Sequence, residues 1–535
     1  MAARIPLTCL PCLLLFAAAT ITASSGCTSD TACSLNGVCL ANANTNARHG
    51  LCDASWGGPA CATLRLEPAS PTSGLRSVDD GQATSSWGGV VRRIDDGEGE
   101  DGGGARWGVI ASEITAHCGI NAWTRNSRIV YAEASAPGGP FTRVEMDVHP
   151  VAVPTKTAVA AAAVAADVAT QHPHLPAGGG TTPGPASPGV ATSAIPAAPV
   201  TTPATPATSA TPGAATPASP PGVPGVPGVF SHEPSIAKAP NGTWVMWFAA
   251  FLDPASVAKR FPPCTDCRNG TTPPDCSSEV PRGPGTFKPV FMATAPAMRG
   301  PWSTPRLVPL LDCNRTFCQH DMALAGTILP NGTFLGMVKV HSDERGSEAH
   351  LVVANDWADA EGYTQSPNSE SGNLFNASDA PPDGGRVEDP SEPWQDHRGH
   401  WHVLFHAESP DGAPWARSGG HAYSQDGRHW VYTGTAFNTT VEVGEGAEVE
   451  ERGELEAAKA AGGGGGWPGK GTAQVHVHIQ AQGTGRTDEV VYGRRERPHL
   501  VFADPTRPGT PTHLSSGVQY GDKDACYTLI QPIRV

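Results

Sequence analysis

The chain has 535 residues with a formal net charge of −15, and 39% of its residues are hydrophobic. This length and apolar content allow more than one domain and a sizeable core. The acidic balance argues against a general nucleic-acid or anionic-membrane binder, because nothing supplies a concentrated basic surface. A neutral polar partner fits the charge better.

The first 25 residues carry the pattern of a secretory signal peptide. Arg4 precedes a short apolar run from Leu10 to Ala19, and small residues continue to Ser25, as in leaders that are removed on export. A single membrane anchor is the alternative, but the run is short for roughly 30 Å of hydrocarbon. No later stretch is long and apolar enough to span a bilayer. The sequence therefore predicts a secreted protein, extracellular or at the cell wall or surface, without a membrane span.

The cysteines and the glycosylation sequons agree with export. Of the 14 cysteines, Cys9 and Cys12 would leave with the leader, and the others would enter an oxidising compartment in which disulfides form. Asn-x-Ser/Thr sequons predict a glycoprotein. There are six of them, at Asn241, Asn269, Asn314, Asn331, Asn376 and Asn438.

Residues 27–61 are rich in cysteine and resemble an EGF-like module. The resemblance extends to the gap of eight residues between the last two cysteines. It implies two disulfides, Cys27–Cys39 and Cys52–Cys61. The position of the fourth half-cystine holds Gly50, so Cys33 is expected to be free, paired elsewhere or intermolecular. We predict a loosened module that serves as a spacer or contacts an extracellular protein partner, not a catalytic unit.

The other cysteines predict further disulfides. Cys264 and Cys267 lie close together with Cys276 nearby, and in a secreted chain this favours a loop disulfide over a metal or redox motif. Cys313 and Cys318 are expected to close a small loop, which leaves Cys118 and Cys526 as possible partners that would tie the first and last repeat units together.

Two tracts have compositions that cannot build a core. Residues 151–228 are dominated by Ala, Pro, Thr, Ser and Gly, and residues 440–487 include five consecutive glycines. Such segments bury too little apolar surface to offset the entropy of ordering. Strand patterns stand on both sides of each tract, so both are interpreted as disordered insertions within one domain, which cost little because loop-closure entropy grows slowly with length.

Short alternating strands bounded by Gly, Pro and Asn turns recur in the remainder of the chain, and no segment has a convincing amphipathic helix period. They group into five similar units, which is typical of a propeller. The sequence therefore predicts an all-β fold, a five-bladed β-propeller with the small disulfide-rich module and the two insertions. The first blade is expected at 80–150, blades two to four at 229–439 and the last blade at 488–535.

A carboxylate, usually beside a proline, opens four of the units. The copies are His232-Glu233-Pro234, His320-Asp321-Met322, Glu388-Asp389-Pro390 and Glu496-Arg497-Pro498. The innermost strand of each propeller blade lines the central channel, so equivalent positions at strand starts converge. We therefore expect Glu233, Asp321, Asp389 and Glu496 around one pocket. Glycoside hydrolysis needs two carboxylates in different environments, and a third can set their pKa values.

At these motifs the chain resembles the five-bladed propeller glycosidase superfamily of arabinanases, β-xylosidases, α-L-arabinofuranosidases, invertases and levansucrases. The resemblance implies that Asp389, in an Asp-Pro motif, stabilises the transition state or tunes a pKa. It implies that Glu496, in a Glu-x-Pro motif, is the general acid. With the blades rotated by one, it implies Glu233 as the base, where the family has Asp, and the added methylene could shift the carboxylate by over roughly 1 Å. The first unit carries no carboxylate at the family's usual base position.

Further residues are candidates for substrate contact. We expect His232, Asp321 and Trp87 to contact a sugar, since aromatic faces with polar edges stack on sugar rings. Carboxylates before proline are also common in turns, and propeller aromatics often pack between blades. The histidines match no standard closed metal site, so we predict neither a metal nor a cofactor.

Two functions remain open from the sequence. The first is a secreted glycosidase that acts on polysaccharide with inversion, using Glu496, Asp389 and Glu233. The second is a non-catalytic extracellular protein that binds a glycan or mediates adhesion, because a fold does not fix a function.

Overall fold

The computed structural model describes the greater part of the chain outside the two long insertions. The described residues are 24–41, 47–76, 85–94, 105–144, 146, 230–251, 254–265, 267, 272–276, 280, 286, 288–310, 322–342, 346–365, 374–375, 386–408, 418–444, 488–503, 507, 509–520 and 525–535. The predicted insertions therefore lie almost wholly outside them. Within the described ranges, no helix is long and apolar enough to cross a membrane.

Five antiparallel sheets follow one another along the chain, which confirms the predicted five-bladed propeller. Blade 1 has β6 to β9, Ser85–Ile94, Arg106–Ile114, Ser127–Ala134 and Thr142–Val144. Blade 2 has β10 to β13, Ser231–Lys238, Trp244–Ala250, Val290–Ala295 and Arg306–Leu307. Blade 3 has β14 to β17, Leu324–Ile328, Phe334–Ser342, Gly346–Ala354 and Thr364–Gln365.

The last two blades vary this plan. Blade 4 has β18 to β22, Arg386–Glu388, Trp394–Gln395, Trp401–Glu408, Gly419–Ser424 and Val431–Phe437, with both β18 and β19 paired to β20. Blade 5 has β23 to β26, Thr440–Val443, Asp488–Val501, His513–Tyr520 and Cys526–Pro532. The predicted insertion at 440 therefore begins too early. Val441 and Val443 are buried and pair with β24, so four residues of the tract extend a sheet.

Helices are short in the described part of the chain. The α-helices are α1, Trp123–Asn126, and α2, Pro254–Arg260, and the 3-10 helices are Asp30–Cys33, Ile120–Ala122 and Ala360–Gly362.

The central strands are buried on both faces because each blade packs between two others. Along β11 every residue from Trp244 to Ala250 is buried. Met246 and Phe248 join a cluster with blade 1, whereas Val245 and Trp247 join one with blade 3. Successive side chains of a strand point to opposite faces, so one strand serves two interfaces. This is why the strand is a continuous apolar run, not an alternating one.

The N-terminal module packs against blades 4 and 5. Its strands are β1 to β5, Ser24–Ser25, Gly37–Ala41, Arg48–Cys52, Trp56–Gly57 and Thr63–Leu64. It contains the disulfides Cys27–Cys39 and Cys52–Cys61, and Cys33 is a buried free thiol. The Trp56 ring packs on His421 of blade 4, and the Ser55 hydroxyl donates to the carbonyl oxygen of Pro511 in blade 5. The module is thus part of the propeller's surface.

The chain after the module closes the ring. Leu66 and Leu75 form antiparallel bridges with Ile533 and Thr528, so this segment runs along the outer edge of β26. Blade 5 also packs on β6 of blade 1. The proposed Cys118–Cys526 link is wrong, because Cys118 pairs with Cys267, whose loop rises from blade 2.

The remaining cysteines of the described residues lie in blades 2 and 5. Cys264 forms a loop disulfide with Cys276, and Cys526 is buried in β26. Cys313 and Cys318 lie outside the described residues. The Cys118–Cys267 disulfide therefore links a loop of blade 1 to a loop of the neighbouring blade 2.

Candidate functional site

The inner strands carry one residue in the left-handed backbone region at the same point of four blades. These residues are Gly88, Glu233, Asp389 and Arg497, with φ of 49°, 57°, 47° and 56°. In blades 1, 2 and 5 the strand register shifts there, as in a β-bulge. Positive φ outside glycine is uncommon, and strained residues of this kind cluster at functional sites.

The blade 5 member of this set corrects the alignment made from the sequence. Arg497, the residue before the proline, corresponds to Glu233 and Asp389. Glu496 stands one residue earlier and corresponds to His232 and Glu388. Asp321, the predicted blade 3 member, lies outside the described residues.

Three of these side chains form an ion-pair floor in the channel together with a lysine from another strand. The floor consists of Glu233, Lys339, Asp389 and Arg497. Lys339 Nζ, from β15, lies 3.3 Å from Glu233 Oε1 and 3.1 Å from Asp389 Oδ1. Arg497 Nη1 lies 2.8 Å from the same Glu233 oxygen. All four side chains are 4–5% exposed. Lys339 thus lies between the two carboxylates, and Arg497 lies beside Glu233. The two positive side chains balance the charges of the two carboxylates.

Blade 1 contributes no side chain to the floor, and Arg497 fills the space. A Cβ added at Gly88 would lie 2.7 Å from both Cβ and Cδ of Arg497. Glycine is therefore favoured at this position for two reasons: the backbone φ is positive, and the Arg497 side chain occupies the space that a Cβ would need.

The floor sets the ionisation of Asp389. Burial raises the pKa of Asp389 to about 6, and although Lys339 opposes this, the negative charges of Glu388 and Glu496 add to the increase. Burial lowers the pKa of Arg497 to about 9. Asp389 is therefore a carboxyl group that gains and loses its proton close to neutral pH.

A second group, the outer cluster, consists of Glu388, His406 and Glu496. His406 Nδ1 lies 3.6 Å from Glu388 Oε2, and His406 Nε2 lies 4.0 Å from Glu496 Oε1. The two glutamates come from neighbouring blades and are 18% and 15% exposed, whereas His406 is 3% exposed. Arg494 Nη1 approaches the same Glu496 oxygen at 3.9 Å. The outer cluster is thus more open to solvent than the floor.

His406 is held as an imidazolium. Burial alone would lower the pKa of His406, but the carboxylates of Glu496, Glu388 and Asp389 outweigh it and raise the pKa to about 9. The ring therefore separates two carboxylates and carries a positive charge between them.

Below the floor the channel holds another ion-pair network. The Glu392 carboxylate lies 3.0 Å from His499 Nδ1 and 3.4 Å from Arg92 Nη2, and accepts from the Ser235 hydroxyl. Burial would raise the pKa of Glu392, but His499 and Arg92 lower it to about 2. Glu392, His499 and Arg92 therefore place a second set of paired charges between the inner strands.

Two residues predicted to contact substrate are buried. Trp87 is 2% exposed and packs against Gly517, so its ring is not available to stack on a sugar. His232 is 2% exposed, bonds to the Ser127 hydroxyl and packs against Trp123. Burial holds the pKa of His232 well below its usual value. Both are interior residues of the wall formed by blades 1 and 2, which corrects the expectation of direct contact.

Among the residues that the structure describes, two groups of side chains have the donor types of a metal site. In one, Glu388, Asp389 and His406 have ligand atoms within 4.8 Å of one another. Metal binding there would require His406 to give up the proton that the neighbouring carboxylates favour.

The other group is Asp53, Asp396 and His397. Arg398 lies between its two carboxylates, 2.6 Å from Asp53 and 3.1 Å from Asp396. This group is an ion-pair cluster.

The structure brings Glu233, Asp389 and Glu496 to the same end of the channel, and it adds residues that sequence reasoning missed. Lys339 comes from a second strand and carries no motif. Arg497 and Glu388 are neighbours in sequence of the predicted carboxylates Glu496 and Asp389. Aligning the repeats on their proline would have found them, because Arg497 then matches Asp389 and Glu388 matches Glu496.

Comparisons with known proteins give distant structural similarity. No protein-family model matches the chain, and no curated protein matches it. Zg3597, a family 117 glycoside hydrolase of the marine bacterium Zobellia galactanivorans, is 11% identical over 88% of this chain and 90% of its own, with a TM-score of 0.40. The α-L-arabinofuranosidase PaAbf62A of Podospora anserina is 9% identical over 88% and 96%, with a TM-score of 0.38. An α-L-arabinanase of Penicillium chrysogenum is 9% identical over 86% and 79%, with a TM-score of 0.35.

Proposed function

We propose that the protein acts on glycans at the outer cluster and hydrolyses glycosidic bonds there. The observation that carries the proposal is a group of three carboxyls in unequal environments. Asp389 is buried with a pKa of about 6, and Glu388 and Glu496 beside it are partly exposed. Glycosidases use such inequality to keep one carboxyl protonated and another ionised.

The roles follow from exposure and contacts. Glu496 acts as general acid, because it is partly exposed and its charge is coupled to the Asp389 proton. Asp389 tunes the group from its buried position. Glu388 acts as base towards a water. Glu388 and Glu496 face different nitrogens of the His406 ring, so the ring holds the two carboxylates apart. We propose inversion because the acid and base of an inverting enzyme must be far enough apart to leave room for the attacking water.

Glu233 is a poor base in this arrangement. Its carboxylate is buried, and one oxygen lies within 3.3 Å of both Lys339 and Arg497. A base must reach a water beside the substrate, whereas Glu233 is tied to two cations in the floor. We therefore propose a structural role for Glu233.

We also propose that the protein is secreted as a glycoprotein with an EGF-like N-terminal module. Four disulfides occur in the described residues, and disulfides persist in oxidising compartments. A secreted protein would meet polysaccharide substrates outside the cell.

A hydrolysis screen with matched variants tests the proposal. Wild-type protein is assayed on aryl glycosides and on plant and algal polysaccharides, with release of reducing ends as the readout. On a polysaccharide, Glu496→Gln and Glu388→Gln are each expected to lose roughly 10²–10⁴-fold in rate, the contribution typical of general acid–base groups. Glu133→Gln, at an exposed ion pair on blade 1, is the control. Unchanged hydrolysis of the polysaccharide in Glu496→Gln would remove the assignment.

The second candidate function is glycan binding without catalysis. The observation that favours it is the ion-paired state of Glu233, the carboxylate that the family resemblance places as base. In this case the screen yields no reducing ends, while a glycan array detects binding that Glu388→Gln and Glu496→Gln weaken.

A further inference from the structure

Three described sequons share one local geometry. Asn241, Asn331 and Asn438 are exposed, and the Thr two residues later is half-buried in each case. Each Asn side-chain oxygen accepts a hydrogen bond from the backbone N–H of that Thr, at 3.0, 3.0 and 3.1 Å. The amide nitrogen is the atom that carries a glycan. The turn therefore engages the amide oxygen and leaves the side chain at the surface.

Two of these sequons occupy the same hairpin turn in neighbouring blades. Asn241 precedes Gly242 between β10 and β11, and Asn331 precedes Gly332 between β14 and β15, with φ of 88° and 86° at the glycines. No atom lies within 4 Å of a Cβ built at Gly242. The inner strand β10 starts at the floor with Glu233, so these turns lie at the opposite end of the channel.

The matching turn of blade 4 is covered by protein. Arg398 takes the position of Asn241 and Asn331 in that hairpin, with Gly399 following at a φ of 84°. Its guanidinium donates to the carbonyl oxygens of Leu35 and Gly37 and to the Asp53 carboxylate of the module. The same turn position thus holds the module in one blade and an exposed sequon in two others.

We propose that Asn241, Asn331 and Asn438 carry N-linked glycans. The reaction joins the Asn amide nitrogen to the anomeric carbon of an oligosaccharide held on a lipid diphosphate. The anomeric C–O bond to the diphosphate breaks, the lipid diphosphate leaves, and one amide proton passes to a base of the transferase. Glycans at Asn241 and Asn331 then cover one end of blades 2 and 3, which leaves the outer-cluster end accessible to a large substrate.

This proposal rests on the proposed secretion, and the experiment separates the two. The full chain is expressed in a eukaryotic host with its own leader, and in parallel with a heterologous cleavable signal peptide in place of residues 1–25. Peptide-N-glycosidase treatment in H₂¹⁸O marks each occupied Asn by mass spectrometry. We expect the label at all three sites in both forms. Failure of the first form alone to reach the medium would contradict secretion, whereas unlabelled Asn241 and Asn331 in the second form would overturn the glycan sites.

Paired variants test whether the sequon itself is read. Thr243→Ala and Thr333→Ala keep the asparagine but remove the hydroxyl that the sequon requires, and each is expected to lose one glycan on a denaturing gel. Thr243→Ser and Thr333→Ser are the matched controls and are expected to keep it. Loss of the band shift in the Ser variants as well, or its retention in the Ala variants, would contradict the assignment.

Discussion

Gly88 offers the sharpest test of the ion-pair floor, because an added methyl group meets the arginine that fills the blade 1 position. In Gly88→Ala the new Cβ would lie 2.7 Å from Cβ and Cδ of Arg497 and 2.9 Å from its Nε. The residue also keeps a φ of 49°. The left-handed conformation costs an L-residue roughly 1–2 kcal/mol, and overpacking a filled interior adds about 1–3 kcal/mol.

Gly242→Ala separates these two contributions. Gly242 has a φ of 88°, and no atom lies within 4 Å of the place its Cβ would take, so this variant carries the backbone cost alone. We expect Gly88→Ala to lose about 1–3 kcal/mol more than Gly242→Ala in free energy of unfolding, the overpacking contribution. Urea unfolding followed by tryptophan fluorescence measures both. Equal losses in the two variants would refute the packing of Arg497 against Gly88.

The other predictions concern the buried charges. Lys339→Met should lose about 3–5 kcal/mol in free energy of unfolding, because two carboxylates lose their shared buried cation; a loss below about 1 kcal/mol, the range of an exposed pair, would contradict the floor. Stability should fall as the pH drops below 6.5, because burial, with His402 beside it, holds the pKa of His421 well below that ordinary value, so only the unfolded chain takes up the proton. His421→Gln should therefore flatten the dependence of the melting temperature on pH between about pH 7.5 and about pH 5; equal slopes would count against it. On a hydrolysed substrate, kcat/KM should fall as the pH drops below about 6, where Asp389 gains a proton and its negative charge no longer favours the protonated form of Glu496; a flat pH–rate profile would remove its tuning role.

Much of the fold could be predicted from the sequence because strands are encoded locally. The apolar run Trp244 to Ala250 and the Asn-Gly turn before it mark a hairpin without any knowledge of distant contacts. The module's disulfides followed from a resemblance in cysteine spacing. The repeat then gave the blade number.

The site was harder to predict because its contacts are distant in sequence. Lys339 reaches Glu233 and Asp389 from the second strand of another blade, and no local pattern records that. A left-handed residue at Arg497 shifts the register of β24, so Glu496 is displaced from the position that the repeat suggested. Trp87 was predicted to stack on a sugar ring, but it is buried between blades 1 and 5 against Gly517.

The leaving-group dependence of Glu496→Gln tests the central claim most directly. A general acid protonates the leaving group, so its loss should cost roughly 10²–10⁴-fold in kcat/KM on a polysaccharide and far less on an aryl glycoside whose phenol departs without a proton. We expect that split in Glu496→Gln and its absence in Glu388→Gln. Equal losses on both substrates in Glu496→Gln, or full activity on the polysaccharide, would contradict it.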